Sequence, residues 1–220
     1  MLLFALVAHE FAHGWAALKQ GDDTAYKLGR LTLNPIPHID PVMSIAMPAL
    51  LWFMSGGTFT FGGAKPVPVV TRNFRNFKRG DLIVSSAGIV TNLILAVVCT
   101  ALFALAGLVH TVLGVGTSAI DTLQRMLVWG IELNLVLAFF NLIPIPPLDG
   151  SRLLYHFLPP DLGAKYRSLD RFGFLLVMVL IYFFRGAVQV LLFPASWGYS
   201  FLIDLVQPFA VGEGWRILQR

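Results

Sequence analysis

The chain has 220 residues, of which 56% are apolar, 13% aromatic and only 13% charged, against about 25% charged in an ordinary soluble domain. Its mean hydropathy is +0.73, and the stretch 82–115 contains no Asp, Glu, Lys or Arg. Such a chain cannot clothe a globule in charge. That excludes a soluble enzyme, a disordered chain and a nucleic-acid binder, and leaves an all-α polytopic membrane protein. The net charge of +4 reads as cytoplasmic loops in a protein of this class, not as a site for an acidic ligand.

Residues 2–18 are apolar, but His9, Glu10 and His13 interrupt them and no basic region leads them, which argues against a cleaved secretory signal. They read as part of a helix that begins further upstream. The apolar stretch 42–54 is too short to cross a bilayer and is expected to be re-entrant or interfacial. Next comes GGTFTFGGAKPVPVV (56–70), whose glycines, Thr-Phe alternation and two prolines predict a short membrane-associated β-hairpin or extended strand. Inside a membrane such backbone must be covered by protein or line a wet cavity. The stretches 82–113, 123–143 and 172–193 are each long enough to span, and 201–211 is marginal. Cys99 lies in an apolar run, has no cysteine to pair with and reads as helix packing. With no repeat and no long linker, residues 1–220 are expected to form a single membrane-embedded domain. Basic residues gather at 19–30, 65–79, 152–171 and 216–220. All four groups face the cytoplasm only if 42–54 dips in and returns.

His9-Glu10-Phe11-Ala12-His13 is an HExxH motif. On a helix the two imidazoles share one face and converge on one metal ion, while the carboxylate one residue along reaches a bound water as general base. The plain alternative is two histidines packed between helices. Their setting weakens it, because three ionisable side chains inside an apolar segment are costly and functional by default. His38, Asp40, His110, Asp149 and His156 are candidates for a third ligand. Asp149 stands out in NLIPIPPLDG (141–150): three prolines end the preceding helix and leave the aspartate on extended backbone at a depth like that of the histidines. Its plain alternative is an N-cap for the helix that follows.

HEFAHG together with NLIPIPPLDG resembles the site-2 protease family of intramembrane zinc metalloproteases, peptidase family M50. GRLTLNPIPHIDP (29–41), FGGAKPVPV (61–69) and SAGIVTN (86–92) match in the family's order. The resemblance implies a bundle of about five to six transmembrane helices, with Zn2+ held by His9, His13 and Asp149. Glu10 would activate the water, and Asn141 and Asn92 would bind the substrate peptide or the oxyanion. The chain departs from the pattern at Gly63, Val70 and Ile89, where tryptophan, asparagine and proline are common. Only eight residues precede His9, where members usually carry a further helix. No PDZ-like insertion is visible.

The expected function is therefore hydrolysis of a peptide bond in or near a transmembrane segment of a single-span membrane protein, as in regulated intramembrane proteolysis. The expected location is a bacterial or archaeal cell membrane, with the site toward the cytoplasm and the lipid bilayer as its surroundings. The rival is a non-catalytic protease-like scaffold or an ion transporter. Glu10 separates the two, since a transport site needs no base between its ligands. His38 and Asp40 read either as partners orienting an imidazole or as a polar loop. His110 reads as interfacial. Glu132 reads as lining a polar cavity or pairing with an arginine.

Overall fold

The computed structural model describes residues 1–57, 60 and 62–212, and every regular element among them is helical. The chain forms two compact units, Leu2–Gly88 and Ile89–Arg220, the latter joined by Met1.

The first unit is built on α1 (Leu2–Gln20), whose buried residues include Ala5, Ala8, His9, Ala12, His13, Ala16 and Ala17. Their spacing of three and four puts alanines and imidazoles on one stripe. The helix ends because Gly21 takes a φ of 113°, which lets the Asp22 N–H return to the Ala17 carbonyl at 2.9 Å. After the short α2 (Thr24–Lys27), Asp40 caps a π-helical turn over Pro41–Ala46, its Oδ1 accepting from the Val42 and Met43 N–H groups, both at 2.8 Å. The turn continues into α3 (Met47–Met54). Together Pro41–Met54 is an apolar helix of about 21 Å, well short of a ~30 Å hydrocarbon core.

Gly56 and Gly57, at φ 63° and 82°, then reverse the chain, and it runs back along the helix it has just left. The Thr60 hydroxyl donates to the Pro48 carbonyl (3.0 Å), the Gly63 N–H to Met43 (3.0 Å) and the Lys65 N–H to His38 (2.8 Å). The partner numbers fall as the chain advances, so helix and return segment are antiparallel. Gly62 permits the approach, since a Cβ there would lie 2.7 Å from the Met43 carbonyl oxygen. The segment therefore reverses and runs antiparallel to that helix. No strand forms at 60 or 62–70. Thr58, Phe59 and Phe61 of the expected hairpin lie outside the described residues.

In the second unit the core joins Ala96, Cys99 and Phe103 of α4 (Phe77–Leu113) to Leu127, Val128, Ile131 and Leu135 of α5 (Thr117–Asn141) and to Ala195, Ile203 and Val206 of α9 (Arg185–Val206). Cys99 is buried in that packing, as expected. Buried Gln124 ties the layer to the C-terminal segment. Its amide donates to the Phe103 and Phe209 carbonyls, and its carbonyl accepts from the Val211 N–H at 2.8 Å. Among the described residues three helices have the length and composition to cross a membrane: Phe77–Leu113, Thr117–Asn141 and Arg185–Phe209. Phe193, Trp197, Phe201 and Leu205, four residues apart, form an exposed apolar stripe on the last of them, a face suited to lipid. The expected helix over 172–193 is two helices. The first, α8 (Gly173–Phe183), stops at Phe184, and α9 starts at Arg185 and takes in most of the marginal 201–211 stretch. Arg185-Gly186 places a charge and a poor helix former inside the apolar run. Between α5 and α8 the prolines leave the short helices α6 (Asp149–Tyr155) and α7 (Pro160–Arg167).

Candidate metal centre

Helix α1 places His9, Glu10 and His13 within one turn. The His9 and His13 Nε2 atoms lie 3.0 Å apart, with the rings edge to face at an interplanar angle of 84°. Tetrahedral zinc with Zn–N bonds of about 2.0–2.1 Å holds two nitrogens roughly 3.3 Å apart, so the pair fits zinc with an adjustment of a few tenths of an ångström. The backbone of α4 sets the chemistry of one ring. His13 Nδ1–H donates to the Val84 carbonyl at 2.7 Å, which leaves Nε2 as the lone-pair nitrogen. One turn along α4, Gly88 keeps the ground before both nitrogens clear. A Cβ at that position would stand 2.6 Å from His9 Nε2 and 2.6 Å from His13 Nε2.

Glu10 is half-buried, and its Oε2 accepts the Val67 N–H at 2.7 Å. The extended segment carrying Val67 comes this close because residue 14 is glycine; a Cβ there would meet Val67 Cγ1 at 3.0 Å. Farther along, buried Asp22 anchors the same segment. It accepts from the Val70 N–H (2.7 Å), the Asn73 amide (2.9 Å) and Thr24. Burial opposes the charge of Asp22, but these four donors outweigh it and hold the carboxyl below the ordinary Asp value. Asp40 is also held low, by the Met43 and Val42 N–H groups.

Asp149, Asn141 and Asn92 belong to the second unit. Asp149 is half-buried and is the first residue of α6; Leu148 occupies the N-cap position. The role of N-cap therefore does not fall to the aspartate. Gly150 sits so close under the Leu142 carbonyl that a side chain would collide with it. Asn141 ends α5 and donates to the Leu137 carbonyl at 2.9 Å. Asn92 is fully buried and donates to Asn134 Oδ1 at 2.8 Å, while Asn134 donates to the Gly130 carbonyl. His38 is buried in its loop and donates to the Thr32 carbonyl. His110 donates to the Val115 carbonyl at its helix end. Glu132 lines a cavity of about 430 Å³ with Ser196, Tyr199, Ser200 and Asp204. Val67, Val84 and Gly88 escape a motif search because two of them act through backbone atoms and the third through an absent side chain. The signals were a lone valine between prolines and a glycine inside an apolar helix.

Two imidazoles at zinc spacing, with a carboxylate beside them on the same helix, define a metallopeptidase centre of the HExxH class. The chain belongs to peptidase family M50, whose model matches residues 1–181. It is 42% identical over 183 residues to "Putative zinc metalloprotease YwhC" of Bacillus subtilis (strain 168), covering 81% of this chain and 77% of that protein. It is 33% identical to the Rip2 protein of Mycolicibacterium smegmatis, which carries the same zinc metalloprotease description, over 81% of this chain and 64% of that one. Rip2 of Mycobacterium tuberculosis (strain H37Rv) is 32% identical, with 81% and 63% covered. The chain thus spans somewhat less than two thirds of the Rip2 proteins. No solved structure matches it.

Proposed function

We propose that the chain is an intramembrane zinc metalloendopeptidase that cuts a peptide bond in or near a transmembrane segment of a single-span membrane protein. The observation that carries this reading is the pair of Nε2 atoms at 3.0 Å with the His13 tautomer set by the Val84 carbonyl and Glu10 alongside. His9 and His13 hold the ion, and Asp149 is its third protein ligand: two imidazoles and a carboxylate are a donor set of catalytic zinc sites. When bound, zinc supplies Lewis acidity and lowers the pKa of its water toward ~7. Glu10 takes the proton from the attacking water and passes it to the leaving amine. Asn141, and Asn92 if its bond to Asn134 yields, orient the peptide.

A substrate helix must unwind before attack, and the extended segment after Gly62 and the Pro-broken 143–148 offer backbone for pairing with it. Water reaches the site from the cytoplasmic side, where the basic loops lie. A full bundle of five to six spans and a multi-pass, cytoplasm-facing arrangement complete this reading.

The test reconstitutes the chain with a single-span substrate and measures zinc content and cleavage. One zinc per chain is expected, lost in the His9→Ala/His13→Ala double variant. Cleavage should fall by roughly 10²–10⁴-fold in Glu10→Gln. Full zinc occupancy in the double variant would overturn the ligand assignment.

A further inference from the structure

The return segment 63–67 hydrogen-bonds in an alternating register. Gly63 donates to the Met43 carbonyl and Lys65 to the His38 carbonyl. The next residue in the series, Val67, has no carbonyl acceptor of this kind; its N–H goes to Glu10 Oε2 at 2.7 Å. Alternation by two is what an extended chain imposes, so residues 66 and 68 direct their backbone nitrogens the other way. Both are proline and have no N–H to give. The tripeptide Pro66-Val67-Pro68 therefore has one backbone donor, and it is aimed at the carboxylate of the HExxH helix.

Three contacts fix the aim. The Val67 side chain is buried and closes on Gly14, directly after His13, where a Cβ would lie 3.0 Å from Cγ1. Upstream, the Arg30 guanidinium donates to the Lys65 carbonyl at 3.0 Å. Downstream, the Val70 N–H is held by buried Asp22 at 2.7 Å. With Oε2 occupied by a fixed donor, the Glu10 carboxylate cannot rotate freely, and its second oxygen remains to handle the proton.

We infer that Val67, through its backbone N–H, is a positioning residue for the general base. The inference rests on the protease reading given above. It assigns the Lys-Pro-Val-Pro stretch the task of orienting Glu10, and it makes the outward edge at 66–68 unable to donate to a substrate strand, leaving Ala64 as the outward donor just before it.

The experiment replaces Val67 by its α-hydroxy acid through nonsense suppression in the full chain, turning the N–H into an ester oxygen while keeping the side chain. The same ester replacement at Val69, which leaves the Val67 N–H on Glu10 in place, is the companion. Zinc content, kcat and KM for a single-span substrate are read for both, beside Glu10→Gln. A hydrogen bond to a charged group contributes about 1.5–3 kcal/mol, so the Val67 ester should lower kcat roughly 10- to 100-fold. KM should hold within about twofold and zinc should stay at one per chain, while the Val69 ester should keep kcat within about threefold. A Val67 ester chain with wild-type kcat overturns the proposal and leaves the protease reading intact. So does a Val69 ester that lowers kcat as far as the Val67 ester, since a general effect of the backbone change would then account for both. A Glu10→Gln chain that cleaves at the wild-type rate overturns the protease reading, and this role with it.

Discussion

A single methyl group at position 88 tests the metal centre without touching a ligand. Gly88 lies inside α4, where alanine is favoured over glycine by about 1 kcal/mol, so local propensity predicts that Gly88→Ala stabilises the helix. The site predicts the reverse. The added Cβ would stand 2.6 Å from each Nε2, far inside van der Waals contact and close to where an ion shared by the two nitrogens must sit. The rings cannot simply swing aside, because His13 Nδ1 is held by the Val84 carbonyl at 2.7 Å, itself part of α4. Overpacking of this kind costs about 1–3 kcal/mol. Expressed in zinc affinity, that is a loss of roughly 5- to 150-fold. The assay is competitive zinc titration of purified wild-type and Gly88→Ala chains, with thermal unfolding in the presence and absence of zinc. The variant should bind zinc at least about fivefold more weakly and gain less stability from it. An alanine variant with wild-type zinc affinity would refute the placement of Gly88 over the histidines.

Glu10→Gln should retain zinc while proteolysis falls by roughly 10²–10⁴-fold; metal analysis beside a cleavage assay checks both halves. Asp22→Asn should destabilise the chain by about 1–3 kcal/mol near neutral pH by weakening the bonds from Val70 and Asn73. Because the folded pKa of Asp22 is depressed, its contribution is complete above the ordinary carboxylate range near ~4 and fades as pH falls through the folded value. The melting-temperature gap between wild type and variant should therefore close below about pH 4, and a gap constant down to pH 2 would contradict this. Lys27→Cys and Asn76→Cys should be labelled from the same face of oriented vesicles, with buried Cys99 giving little background. Labelling from opposite faces would make Pro41–Met54 a true span.

The sequence disclosed the parts of this protein that depend on side-chain identity and period. HExxH is legible because its chemistry lies in two imidazoles and a carboxylate at helical spacing, and α1 places them so. The long apolar runs at 82–113 and 123–143 are legible because a helix of that length has few other fates than a membrane. The shortness of Pro41–Met54 was readable by counting, and with the flanking basic groups it led to the expectation of a return; the contacts that hold the return segment, backbone donors at 63 and 65 and the close approach at Gly62, were not. The break at Phe184 was missed because hydropathy averages over Arg185-Gly186 and sees one run. Asn92 matched a family stretch by name, yet the structure gives its amide a partner in Asn134, a pairing between residues 42 apart that no local pattern contains.

The stripe on α1 links the packing of this chain to its chemistry. Ala5, Ala8, Ala12, Ala16 and Ala17 share the buried face with His9 and His13, and small residues on a helix face allow neighbouring backbone to come close. Close approach is what the histidines need. The Val84 carbonyl can reach His13 Nδ1 only if the backbone of α4 lies against α1, and Gly88 then has to be a glycine. The same logic governs the opposite neighbour, where Gly14 admits Val67 and brings its N–H to Glu10. A large residue at Ala16 or Ala17, where Phe74 and Val84 pack, would lift α4 off the helix. The bond to His13 would lengthen before either imidazole was altered. Ala17→Leu is therefore expected to weaken zinc binding at a distance from the motif, with 15N spectra of labelled histidines reporting the loss of the fixed His13 tautomer. Unchanged His13 signals in a folded Ala17→Leu chain would show that the α1–α4 packing does not set the ligand.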